Sequence, residues 1–292
     1  MVNKGLLGVI SAMAVFGSIG VFVRAIPLPS AEIALWRAVI AISVIAAYKL
    51  IKREKIPLTA IKNDIFPLAL SGAAIGFNWI LLFEAFNHTS VSAATLAYYF
   101  APTLVMIFSP IILKERLTLK QCLCFIGATL GLVLMIGGSS GEYENEILGI
   151  IFGLGAACLY AFTLITNKRI TSVSGADRTI LQFVTALIVL LIYVPATTNL
   201  YIAGIDTWGL LSLLTLGAVH TGIAYCVFYG SIGSVSGQQL ALFSYVYPLV
   251  AVILSVALLR ETVTILQIAG GFIIIVFSVV NELSSTKLKA KS

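Results

Sequence analysis

The chain has 292 residues, 60% of them hydrophobic and only 10% charged, with a formal net charge of +6. A soluble domain carries about 25% charged residues. This apolar surplus excludes a water-soluble globule, and the basic excess points to loops flanking membrane spans rather than to nucleic acid.

Lys4 precedes the first apolar run. That run is too long for a signal-peptide core and further runs follow it, so it reads as a retained first helix. Apolar runs near 20 residues, the length that crosses a hydrocarbon core of about 30 Å, are predicted at 5–24, 31–51, 64–86, 91–113, 119–137, 147–167, 176–195, 207–229, 236–258 and 264–282. They are continuous, whereas a membrane barrel would show alternating segments of about ten residues. The expected fold is therefore an all-α integral membrane protein with ten transmembrane helices. Cys122, Cys124, Cys158 and Cys226 lie inside apolar segments without metal-ligand spacing, so they read as small core residues. No metal or cofactor is expected.

Placing the N-terminus in the cytoplasm puts 15 of the 18 basic residues in cytoplasmic segments; Arg24, Arg37 and Arg260 are the exceptions. The opposite loops, around Asn87-His88-Thr89, Glu142 to Glu146, and Thr197 to Asp206, are poor in Lys and Arg. This is the positive-inside pattern, with both termini cytoplasmic and a short basic tail at 284–292 expected to be solvated or to touch anionic lipid.

The fourth and ninth runs carry the same phrase. Tyr99, Pro102, Glu115, Thr118 and Gln121 recur as Tyr245, Pro248, Glu261, Thr264 and Gln267, each pair 146 residues apart. The doubling predicts two five-helix repeats, 1–138 and 147–283. Five is odd, so the second repeat enters the membrane inverted. Lys114-Glu115-Arg116 and its basic-poorer counterpart Arg260-Glu261 then close on opposite sides. Inverted repeats place substrate near the bilayer midplane between the copies and alternate access by rocking them.

Leu35-Trp36-Arg37, the stretch A-F-N-H-T-S-V-S-A-A from Ala85 to Ala94, Pro102 with Glu115-Arg116-Leu117, and the second copy Y-x-x-P…E together resemble the EamA-type transporters of the drug/metabolite transporter superfamily. The resemblance covers nearly the whole chain. It implies a ten-helix inverted-repeat carrier in the plasma membrane, usually an exporter of small polar metabolites or drugs. Substrate identity does not transfer. An importer or a lipid-linked sugar flippase of the same fold stays open.

Pro102 and Pro248 each lack an amide hydrogen and free the carbonyl four residues back, at Tyr98 and Ser244. Such a carbonyl must be satisfied by protein or cavity water at that depth. The expectation is a pair of kinked, cavity-facing helices, with a packing kink as the alternative. Tyr99 and Tyr245, with Tyr98, Tyr225 and Tyr247 nearby, offer flat surfaces and single hydroxyls suited to reversible binding. Arg37 lies inside span two, where a charge costs about 2.5–3.5 kcal/mol on insertion scales. It reads either as a site for a substrate carboxylate or coupling proton, or as a structural cation paired with Glu84 or snorkelling. Trp36, Asn78 and Trp79, and Gln238-Gln239, are further positions suited to lining a path. His220 is a candidate proton relay with Glu84, though a histidine hydrogen-bonded within the bundle is the plainer reading. Glu32 is expected to be solvated. The GxxxG spacings Gly127–Gly131 and Gly149–Gly153 read as close helix contacts within one chain; the oligomeric state stays open, with a monomer favoured.

No phosphate-binding loop of the G-x-x-x-x-G-K-[ST] type is present, so a carrier must draw on an ion or substrate gradient. A membrane-embedded enzyme would need clustered catalytic groups, and only two histidines are available; a sensor would need an appended domain. The expected partners are a small-molecule substrate, lipid and a coupling proton.

Overall fold

The computed structural model describes residues 4–54, 62, 64–101, 103–105, 107–108, 119–138, 143–167, 169–173, 175–232, 235 and 243–289. Among them every regular element is helical: α1 (Lys4–Gly17), α2 (Ile19–Arg24), α3 (Ser30–Lys52), α4 (Ile65–His88), α5 (Val91–Tyr98), α6 (Leu119–Gly137), α7 (Glu146–Asn167), α8 (Gly175–Thr197), α9 (Thr207–Thr215), a π-helical segment (Leu216–Ile223), α10 (Ala224–Ile232), α11 (Val246–Leu259) and α12 (Ile265–Lys289). Six helical stretches are long and apolar enough to cross a membrane: Lys4–Arg24, Ser30–Lys52, Ile65–His88, Glu146–Asn167, Gly175–Thr197 and Thr207–Phe228. Four shorter apolar helices start at Val91, Cys122, Val246 and Ile265. All ten coincide with predicted apolar runs.

The outer faces explain the composition. Leu123, Ile126, Leu130 and Val133 on α6 are all more than half exposed, as are Ile188, Leu191 and Ile192 on α8. Their helical spacing makes each set an apolar stripe pointing outward. Stripes of this size are untenable in water and ordinary against lipid. With lipid tails as apolar as leucine, close packing must hold the helices together. A Cβ on Gly131 would lie 2.7 Å from the Gly270 carbonyl oxygen, so α6 and α12 meet at glycine. A Cβ on Gly149 would lie 2.6 Å from the Thr89 side chain. Both predicted glycine spacings thus serve contacts within one chain.

Helices from the two halves of the chain pack pairwise. α4 lies on α7 and α8; α3 on the π segment and α8; α1 on α10 and α11; α5 on α7 and α11; and α6 on α12. Exchanging the halves maps this set of neighbours onto itself: the α4–α7 contact becomes α1–α10, and α5–α7 becomes α1–α11.

The T-x-x-Q phrase is punctuation in its second copy. The Thr264 amide donates to Gln267 Oε1 at 3.0 Å and the Gln267 amide donates to Thr264 Oγ1 at 3.2 Å. This reciprocal pair is a capping box opening α12. Gln267 Nε2 also donates to Glu146 Oε1 at 2.7 Å, tying α12 to the start of α7. The first copy's Glu115 and Thr118, and the hairpin Lys114-Glu115-Arg116, lie outside the described residues, as do Glu142, Pro102, Gln238 and Gln239.

Candidate functional site

The repeated tyrosines mark two helix breaks. α5 ends at Tyr98 and Tyr99 leaves the helix with φ −71° and ψ 4°. Tyr245, its counterpart, interrupts the ninth apolar run with φ −73° and ψ −6°, and α11 starts at the next residue. The two rings meet with centroids 5.8 Å apart, and Tyr99 stacks on Tyr247 at 5.2 Å. Pro248 therefore stands in the first turn of α11, where a missing amide costs nothing in the helix ladder, rather than within an unbroken kinked helix. The Ser244 carbonyl, four residues before it, accepts a hydrogen bond of 2.8 Å from the Tyr99 hydroxyl. One copy's tyrosine thus bonds the carbonyl that the other copy's proline strips of a helical donor.

Aromatic rings form two runs, the first of them starting at this contact. Tyr99 passes to Tyr98 and on to Tyr160, at centroid distances of 6.3 and 5.4 Å. On the other side Trp79 packs on Phe183 at 5.1 Å, Phe183 on Tyr225 at 5.3 Å, and Tyr225 on Phe16 at 5.0 Å. Asn78 bonds the Ala156 carbonyl at 2.6 Å, pinning α4 to α7 beneath Tyr98.

Arg37 adjoins the second run. It is 2% exposed, and its guanidinium lies 4.5 Å from the Trp79 ring centre and 5.4 Å from that of Phe83. Nε donates to the Thr221 hydroxyl at 2.6 Å, and that hydroxyl donates to the Leu216 carbonyl at 2.9 Å. The π-helical turn presents Thr221 in this way; π turns are rare and concentrate at functional positions. The expected pairing with Glu84 is absent. Glu84 instead accepts from the exposed Asn87 side chain at 3.1 Å, and among the described residues Arg37 has no carboxylate partner. The cation–π contacts, worth about 0.5–2 kcal/mol each, offset part of the cost of holding the charge.

His220, also on the π turn, is buried. Its Nδ1 lies 3.1 Å from the Thr215 carbonyl, which only accepts, so Nδ1 carries the proton. Nε2 lies 2.9 Å from the Ser18 hydroxyl, at the break between α1 and α2, and that hydroxyl donates to the Val15 carbonyl at 2.8 Å. Trp36 is occupied as well: its Nε1 donates to Glu32 Oε1 at 3.2 Å. Glu32 corrects the expectation of a solvated residue. It is 0% exposed and accepts from the amides of Tyr201 and Ile202 at 2.9 Å each, because the turn at Ile202–Gly204 folds over it.

A second polar cluster was not legible beforehand. Arg24 Nη2 reaches the Thr89 carbonyl at 2.8 Å, the Tyr143 hydroxyl at 2.8 Å and Glu261 Oε1 at 3.1 Å. Tyr143 donates to the same Oε1 at 3.0 Å. Glu261 Oε2 accepts from the Val91 amide at 2.8 Å and from the Ser255 hydroxyl. Burial pushes the Tyr143 hydroxyl up to about 12, so it stays a donor. The clamp ties α2, the α4–α5 turn, the segment before α7 and the α11–α12 hairpin together. The sequence hints were that Arg24 lay outside the positive-inside pattern and that Glu261 belongs to the repeated phrase.

Both halves of the chain, residues 3–137 and 147–281, match the EamA-like transporter family. The chain belongs to that family. It is a multi-pass membrane protein of a transporter family and not an enzyme. It is 28% identical to an uncharacterized transporter, YxxF, of Bacillus subtilis (strain 168), over 92% of this chain and 88% of that one. It is 28% identical to an uncharacterized transporter of Clostridium kluyveri, over 82% and 79%. Protein RarD of Salmonella typhi is 28% identical over 68% of this chain and 66% of its own. A solved structure described only as a crystal structure of protein superposes with a TM-score of 0.64 at 18% identity, covering 97% of this chain and 98% of that one; the likeness is one of fold.

Proposed function

We propose that this protein is a secondary carrier that exports a small polar metabolite across the plasma membrane by alternating access. Its ten spans form two inverted five-helix units, 1–138 and 147–283, with both termini in the cytoplasm. The observation that carries this reading is the meeting of the two repeated helix breaks, Tyr99 against Tyr245, with the Tyr99 hydroxyl on Ser244. A broken helix pair at a pseudo-two-fold axis is what a midplane site between inverted repeats requires. The exchange of helix neighbours between halves supports the repeat, and the cytoplasmic lysines and arginines support the orientation. Tyr98, Tyr99, Tyr245, Arg37, Asn78 and Trp79 line the solute site in this reading, with Pro248 shaping it. His220 and Glu84 are where a coupling proton would act.

Counterflow in proteoliposomes tests the carrier. A radiolabelled metabolite panel is expected to exchange without ATP, faster with an imposed pH gradient. Strict ATP dependence, or a chemical conversion without flux, would refute it.

A further inference from the structure

Taking the carrier reading as its basis, we propose that Arg37 is the docking point for the carboxylate of an organic solute, and that the solute carries this single acidic group on an apolar body. Three basic side chains of the first half are partly or fully withdrawn from solvent. Arg24 is paired with Glu261 at 3.1 Å and Lys49 with Asp177 at 2.5 Å. Arg37, the most deeply buried of the three at 2% exposed, has no carboxylate among the described residues. Its one hydrogen bond uses Nε, so the terminal nitrogens, the pair that forms the fork for a carboxylate, have no partner there. A buried charge is held in protein only when it is compensated, and cation–π contacts compensate in part. The missing counter-charge is the solute's.

The surroundings narrow the class. A single guanidinium suits one negative charge better than a phosphate dianion, and Thr221 orients its plane. The rings against it, Trp79 and Phe83, present apolar faces. This favours an apolar or aromatic carboxylate over a sugar-like polyol, because rings bury apolar surface and offer a polyol few hydrogen-bonding groups.

The test is counterflow and tryptophan-fluorescence titration of the full chain with matched probes: phenylacetate, phenylalanine and leucine against their amides, with phenyl phosphate alongside. The carboxylates are expected to exchange and to bind saturably, and the amides to bind roughly ten- to a hundredfold more weakly, the loss of a charge-assisted hydrogen-bonded pair. Arg37→Gln is expected to erase that preference and Arg37→Lys to keep part of it, since lysine retains the charge without the fork. A mere cation–π brace predicts the opposite for Arg37→Gln, namely an unchanged ligand preference in a less stable protein. If Arg37→Gln fails to fold, the preference of the unsubstituted chain decides alone. Flux confined to the amides, which lack a carboxylate, or phenyl phosphate binding more tightly than phenylacetate, overturns the carboxylate assignment and leaves the carrier standing. No flux of any probe counts against the carrier and this inference together.

Discussion

Glu261→Gln tests the clamp. The carboxylate takes four donors in two pairs: Arg24 and Tyr143 on Oε1, Val91 and Ser255 on Oε2. An amide offers one acceptor oxygen and one NH2. Whichever way it turns, its NH2 faces a group that can only donate, the Arg24 guanidinium or the Val91 amide, so at least one hydrogen bond is lost, and Arg24 loses its counter-charge. Leaving buried donors unmade costs about 1–3 kcal/mol each, and breaking a buried ion pair about 3–5 kcal/mol. The Arg24 side chain is 25% exposed, so water recovers part of this; a net loss of roughly 2–4 kcal/mol is expected. At about 2 °C per kcal/mol for a long chain, the apparent Tm of the purified protein should fall by roughly 4–8 °C. A double-mutant cycle with Arg24→Gln should show coupling above about 1 kcal/mol. In the proposed orientation the clamp lies on the outer side, so the variant should also raise labelling of a Tyr99→Cys probe from outside. An unchanged Tm with additive single effects would refute the clamp.

Tyr99→Phe removes the donor to Ser244 while keeping the ring stack, and counterflow rates are expected to fall about fivefold or more, the equivalent of roughly 1 kcal/mol, with unchanged expression. Gly131→Val drives a side chain into the Gly270 backbone, and loss of the monodisperse peak in size-exclusion chromatography is expected. Thr264→Ala removes the capping box, at about 1 kcal/mol, which a thermal ramp should read as a fall of about 2 °C.

The positions of the apolar runs were legible because lipid imposes one length and one hydropathy on every crossing. Tyr99 and Tyr245 were legible for a different reason: the same break is written twice, and the doubling separates it from background. The form of the break was not. Proline predicts a stripped carbonyl at Ser244, but whether the helix bends or stops there depends on what can reach that carbonyl, and Tyr99 comes from the other half of the chain.

The same limit governs the charges. Arg37 and Glu84 are the obvious pair on a helix diagram, yet pairing inside a membrane depends on which faces of α3 and α4 meet. Arg37 turns to Thr221 and Trp79, while Glu84 stays at the edge with Asn87. Glu32 reverses likewise: its place near a span end suggests water, but the connection at Ile202–Gly204 lies 170 residues away and lends it backbone amides. The π turn at Leu216–Ile223 has no periodicity signal, since it adds a residue without changing composition. It rotates Thr221 onto Arg37 and sets His220 against Ser18. A regular α-helix through these residues would set them at other angles, since it steps about 100° per residue whereas a π turn fits an extra residue into its turn. The irregularity that hid these contacts from the sequence is therefore what brings the buried cation and the one intramembrane histidine under the control of a single turn.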